Sequence, residues 1–265
     1  MHGRRLVPDV GFVLAALLIG VAYGQENYNT ATGLDFAAVI QRMEQAQANA
    51  KFEVPYQVVR QYQLSENNGS KVSSKVVAEV DYAPPDRETY VIQKHSGISR
   101  GEQVVRRILE HESAMVAAGP RSRSEALLTR ENYNFTNLGE NTLDGSSFYL
   151  IGLVPKRKQK ELIVGQAWVD KRTFLIRRIE GELAKSPSWW LKKVSVRLDF
   201  SEVSGLWLQS AMQATADVRL LGSQTLQAET LDCRKTEVVA QHISPKQART
   251  SRRGVPGQLL FPAGK

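Results

Sequence analysis

Hydrophobic periodicity divides the chain into a helical opening and a long β-rich remainder. Within residues 34–50, Phe36, Val39, Ile40 and Met43 recur at helical spacing, which predicts an amphipathic helix. Asp35 lies near its start, where a negative charge suits the helix dipole. From Tyr56 the period falls to two. Residues 54–64 and 72–82 predict strands joined through Asn68-Gly69, a strong hairpin signal. Pro84-Pro85 stops the second strand, and 87–95 predicts a third. A second helix is predicted over 102–118, with Val104, Val105, Ile108, Leu109 and Met115 on one side and Gly119-Pro120 at its end. Residues 121–131 carry no clear period and read as a short helix or a loop.

Beyond Tyr133 only strand patterns appear, over 133–142, 146–155, 161–170, 174–184, 191–203, 206–221 and 224–238. The turns between them include Asp144-Gly145, the basic run 156–160, Asp170-Lys171-Arg172, Ser204-Gly205 and Gly222. The alternation is clean in places. Val194, Val196, Leu198 and Phe200 share one face, and Ser195, Arg197 and Asp199 the other. Leu206, Leu208, Met212, Ala214, Ala216, Val218 and Leu220 again share a face. Such alternation means an antiparallel sheet, apolar on one side and wet on the other. The fold class is therefore α+β, mainly antiparallel β. About ten strands with two substantial helices must cover the apolar face. The expected solution is a curved, half-open β-barrel with the helices plugging its concave face, an arrangement that can leave an apolar cavity. Phe36, Val39, Ile40 and Met43 would line it from the first helix, and Val194, Val196, Leu198 and Met212 from the sheet. The same residues could equally fill a dry core, because the difference lies in side-chain volume and sheet curvature.

The first residues read as an export signal. Arg4 and Arg5 form a basic n-region, Gly11–Val21 an apolar h-region, and Ala22-Tyr23-Gly24 a cleavage site before Gln25. The apolar run is shorter than the roughly 20 residues a membrane span needs, and no Cys follows it to carry a lipid. The expected organisation is a signal peptide over 1–24, a linker over 25–33, one domain over 34–240 and a basic disordered tail over 241–265. The expected location is the periplasm of a bacterium. The one cysteine of the 265 residues, Cys233, excludes an intramolecular disulfide and reads as a small strand residue. The net charge of +8 points to anionic surfaces. For an exported chain these are lipid headgroups rather than nucleic acid, so transient membrane contact through basic residues is expected.

Candidate chemistry is sparse. The sequence has no Gly-x-Ser-x-Gly elbow, no Ser-x-x-Lys, no His-Glu-x-x-His and no phosphate-binding glycine loop. After cleavage only His95, His111 and His242 remain. Glu110-His111-Glu112 reads as a solvated helix face, and the basic runs as solvated charge. The expectation is a non-enzymatic monomer without metal or cofactor. Ser186-Pro187-Ser188-Trp189-Trp190, followed by Lys192 and Lys193, is the most unusual local feature. It reads as a turn whose tryptophans anchor the next strand, or as an interfacial element. Trp168 and Trp207 read as sheet packing residues.

Several stretches carry a resemblance: Asn132–Phe135, Tyr149–Lys158, Trp168-Val169-Asp170, Ile176–Gly181 and Gly205-Leu206-Trp207-Leu208. With the order of elements, they make the chain resemble the LolA/LolB-like outer membrane lipoprotein-sorting proteins over roughly residues 34–238. The resemblance implies a half-open barrel whose hydrophobic cavity shields acyl chains of lipoproteins or lipids. It also implies an arginine inside the cavity that hydrogen-bonds lid helices. Arg60 and Arg87 are the strand arginines in the first half of the chain. The same fold serves stress-sensor and protein-interaction modules, which is the alternative function. An envelope hydrolase is the third.

Overall fold

The computed structural model describes residues 35–50, 54–66, 69–143, 145–189, 191–219 and 222–236. The expected signal peptide, linker and basic tail lie outside them.

Among the described residues, three helices and ten strands follow one another along the chain. Helix α1 spans Phe36–Asn49. Strands β1 (Tyr56–Glu66), β2 (Lys71–Ala83) and β3 (Arg87–Gly97) come next, followed by α2 (Ser99–Ala117) and the short α3 (Pro120–Ser124). The remainder is a meander: β4 (Tyr133–Leu143), β5 (Ser146–Pro155), β6 (Ile163–Asp170), β7 (Ile176–Leu183), β8 (Leu191–Val203), β9 (Leu206–Val218) and β10 (Gly222–Lys235). Every predicted strand is present. The uncertain stretch 121–131 resolves into α3 and a turn that leads to β4.

All ten strands form one antiparallel sheet in the order β3-β2-β1-β10-β9-β8-β7-β6-β5-β4. The one non-sequential pairing is β1 with β10, which joins the opening hairpin to the end of the meander. The sheet is curved and does not close, because β3 and β4 remain as edges. The chain leaves the β3 edge, runs through α2 and α3, and re-enters at the β4 edge. On the way α2 packs on β3, β2 and β1. Inward residues alternate as the period of two requires. On β1 they are Tyr56, Val58, Arg60, Tyr62 and Leu64, and on β8 Leu191, Val194, Val196, Leu198 and Phe200. Bulges between Val59 and Arg60, and between Asp199 and Phe200, shift the register without losing this inward set. Cys233 is buried on β10 with its thiol raised by burial.

One close approach shapes the sheet. Gly165 on β6 pairs with Gly181 on β7. A Cβ on Gly165 would collide with the Glu180 carbonyl oxygen and lie 2.6 Å from the Gly181 Cα. A Cβ on Gly181 would meet the Val164 carbonyl and lie 2.7 Å from the Gly165 Cα. The obstacles are backbone, which cannot turn aside as a side chain can. Gly165→Ala and Gly181→Ala should each lower stability by about 1–3 kcal/mol, the usual range for forced overpacking. Urea denaturation of the purified variants checks this; an unchanged midpoint would contradict the close approach.

Candidate functional site

The inner face of β1 would be wholly apolar and aromatic but for Arg60. Its side chain is 6% exposed, and its Nη1 donates to Glu112 Oε2 on α2 at 2.9 Å. Glu112 is equally buried. It lies on the apolar stripe of α2, in helical register with Val105, Ile108, Leu109 and Val116. The stripe therefore delivers one carboxylate into the interface between helix and sheet, where the strand supplies one guanidinium. The expectation of a solvated face at 110–112 holds for the exposed Glu110 but fails for Glu112. Adjacent residues on a helix diverge by about 100°, so one neighbour can face solvent and the next the core.

A second carboxylate joins the pair. Glu88, at the start of β3, is buried and accepts a hydrogen bond from Ser113 Oγ at 3.4 Å. Burial, then the Glu112 charge, push the Glu88 carboxyl up to about 7, against the opposing pull of Arg60. Burial also raises Glu112, with Arg60 pulling it back. Burial opposes the charge on Arg60, but Glu112, Tyr62 and Glu88 together hold its pKa above the ordinary value. Two carboxylates thus share one guanidinium in a low-dielectric interior. The one without the direct ion pair, Glu88, is the one that takes up a proton near neutral pH. Tyr56 stacks on Tyr82 across the β1–β2 pair at 5.1 Å and walls one side of the cluster. Burial raises the Tyr62 hydroxyl well above its ordinary value. Arg123 of α3 donates to the Tyr82 hydroxyl at 3.3 Å and to the Pro85 carbonyl at 2.9 Å, which pins α3 to the β2–β3 turn.

Helix α1 is held differently. Gln47 makes a two-way clamp with Leu128, donating to its carbonyl at 2.8 Å and accepting from its N–H at 3.2 Å. Glu44 accepts from the backbone N–H and guanidinium of Arg130. That segment is anchored in turn by Asn132, which donates to the Ser124 and Leu127 carbonyls and accepts from Arg157 at 2.9 Å. The basic run 156–160 is therefore not simply solvated charge, because Arg157 is a structural donor.

The eight residues expected to line a cavity meet in one apolar cluster. Seven of them, Val39, Ile40, Met43, Val194, Val196, Leu198 and Met212, are no more than 4% exposed, and Phe36 packs at the margin. A cavity wide enough for water would leave accessible surface on its lining. At these positions helix and sheet are in dry contact. Two open grooves of about 340 Å³ and 620 Å³ lie on the opposite, polar face. They are lined by such residues as Gln61, Gln213 and Gln227, and Gln166, Glu180 and Thr215. Among the described residues no group of three or more His, Cys, Asp or Glu is placed to hold a metal ion. None of their helices is long and apolar enough to cross a membrane.

Sequence reasoning noted Arg60 only alongside Arg87, without choosing between them, and missed Glu112 and Glu88. The missed signal is a polar residue in register with an apolar stripe. Arg87, the other strand arginine, is exposed.

No family model matches the chain, and no curated protein matches it. The solved structures similar to it include three with the following likeness. One is a domain assigned to outer membrane lipoprotein sorting from Vibrio parahaemolyticus, at 12% identity and TM-score 0.40 over 77% of this chain and 93% of that one. A DUF1329 family protein from Desulfovibrio piger ATCC 29098 has 14% identity and TM-score 0.39 over 77% and 92%. A LolA superfamily protein from Nitrosomonas europaea has 10% identity and TM-score 0.36 over 78% and 96%.

The charge cluster gives a pH dependence whose sign is fixed. Glu88 has a native pKa near 7, above its unfolded value near 4.5. The native state therefore binds the extra proton, and stability falls as pH rises from about 4.5 to 7. The full effect is about 3 kcal/mol. Glu88→Gln keeps a neutral hydrogen-bonding group, so it should match wild type at pH 5 and exceed it at pH 8. Urea midpoints at the two pH values test this. Equal pH slopes for variant and wild type would refute it.

Proposed function

We propose that this chain is an exported, non-enzymatic carrier of acylated ligands, lipid or lipoprotein, which enter between the helices and the sheet when α2 lifts. The observation that carries this reading is the Arg60–Glu112 pair, buried with Glu88 between α2 and the sheet, beside the apolar cluster of Val39, Ile40, Met43, Val194, Val196, Leu198 and Met212. A buried ion pair is close to break-even against water, because desolvation consumes most of the Coulomb gain. An interface that includes one opens at lower cost than an apolar interface of the same size. Each methylene of an acyl chain that replaces the displaced helix contacts returns about 0.8 kcal/mol. The pair therefore serves as a reversible latch, and the apolar faces as the lining it exposes.

The latch makes the two kinds of variant behave oppositely. Arg60→Met leaves Glu112 buried and unpaired, and should destabilise the closed state by about 3–5 kcal/mol while speeding ligand exchange. Arg60→Met combined with Glu112→Met replaces the pair by apolar contact. It should raise the unfolding midpoint and slow uptake of a fluorescent fatty acid at least about tenfold, since 1.4 kcal/mol on a barrier suffices for that. A double variant that takes up ligand at the wild-type rate would sink the latch. Native protein that yields no lipid by mass spectrometry and takes up no fatty acid would sink the carrier.

A second reading has one observation in its favour. β3 is an 11-residue edge strand with most of its side chains exposed, a template on which a partner protein can add a strand. Envelope crosslinking that recovers a specific protein through β3, with no lipid in the interior, would favour a sensor or interaction module.

A further inference from the structure

The antiparallel register collects alternate connections at one rim of the sheet. Pro155 ends β5 opposite Tyr133, and Ile163 opens β6 opposite Leu183 at the end of β7. Leu191 opens β8 opposite Val218 at the end of β9, and Glu66 ends β1 opposite Gln224 of β10. The described residues of the connections, 69–70, 156–162, 184–189 and 219, therefore share this rim. They carry six cations, Lys156, Arg157, Lys158, Lys160, Lys185 and Arg219, and one carboxylate, Glu161. Among the described residues the opposite rim, over 84–86, 145, 171–175 and 204–205, carries two cations, Lys171 and Arg172, and one carboxylate, Asp86. The charge asymmetry belongs to one end of the molecule.

The same rim exposes apolar side chains. Trp189 is 79% exposed, and Val154 and Val164 at the adjoining strand ends are each 48% exposed. The Arg219 guanidinium stands 5.9 Å from the centre of the Trp189 ring. Lys192 and Lys193 follow on the exposed face of β8. Some of the charge is answered locally: Lys193 pairs with Glu182 at 2.6 Å, Lys160 lies 3.9 Å from Glu161, and Arg157 is held by Asn132. Glu66 and Asp217 sit at neighbouring strand ends. Lys158, Lys185 and Lys192 have no carboxylate partner among the described residues.

An exposed tryptophan beside a guanidinium has little to gain from water. Indole favours the headgroup zone of a bilayer, and lysines near an anionic surface add Coulomb attraction. We propose that this rim docks on an anionic phospholipid bilayer, with Trp189 in the headgroup layer and Lys158, Lys185, Lys192 and Arg219 against the phosphates. The docked rim includes the joint that holds α1, because Lys156 N–H donates to the Asn132 carbonyl there.

The test uses flotation of the mature chain with vesicles of equal parts phosphatidylglycerol and phosphatidylcholine, and of phosphatidylcholine alone. Binding should require phosphatidylglycerol and fade as salt is raised. Lys185→Glu with Lys192→Glu should weaken it at least about tenfold, and Trp189→Ala should weaken it several-fold. Arg87→Glu with Arg172→Glu, on the opposite rim, should leave it unchanged. These side chains are exposed, so the variants keep the wild-type unfolding midpoint. They also keep fatty-acid uptake, so this result stands or falls apart from the carrier reading. No binding by wild type, or equal loss from reversal at either rim, would overturn the proposal.

Discussion

The buried contact between Arg60 and Glu112 is the constraint on which the rest of the molecule is arranged. A ten-stranded open sheet has a large apolar concave face, and the hydrophobic effect alone would hold helices against it without preference for one position. The ion pair fixes position, since a guanidinium on β1 and a carboxylate on α2 cannot be buried apart. Glu88 joins this pair. Burial and the neighbouring Glu112 charge favour the protonated form of this second carboxylate beside one arginine.

The helices are fastened by different sets of contacts. α1 is clamped by Gln47 and Glu44 to the segment 127–132, and Asn132 with Arg157 ties that segment to the β5–β6 connection. α2 rests on apolar packing, on the Arg60–Glu112 pair, and on contacts to β3 that run from Ser113 to Glu88, from Glu110 to Tyr90 and from Glu102 to His95. The two ends of the barrel differ as well, with cations and Trp189 gathered at the rim where the α1 joint lies. Motion of α2 and contact by that rim use separate residues, so either can be altered without the other.

The strands were legible because antiparallel meanders write their faces into alternate residues, as β8 and β9 do. The parity that separates Arg60 from Arg87, its place among Tyr56, Val58, Tyr62 and Leu64, was present in the sequence but was not used to choose between them. Glu112 was obscured by its neighbours: Glu110-His111-Glu112 looks uniformly polar until the helical phase is counted from Ile108 and Leu109. Glu88 gave no such signal, because its burial depends on α2 arriving over the β3 edge. Whether the concave face is filled was illegible in principle. It depends on sheet curvature and side-chain volume, which are set by contacts between residues distant in sequence. The role of Arg157 was hidden for a similar reason, its partner Asn132 being 25 residues away.

The central claim, that α2 leaves the sheet to admit an acyl chain, is tested most directly by a distance. Spin labels at Gln103 of α2 and Gln227 of β10, both exposed, can be placed in a Cys233→Ala background and measured by pulsed electron resonance. The account predicts one short distance in ligand-free protein and a longer one when a long-chain fatty acid is bound, with the longer population growing from pH 5 to pH 8. A single distance that stays unchanged while the fatty acid is demonstrably bound would contradict it.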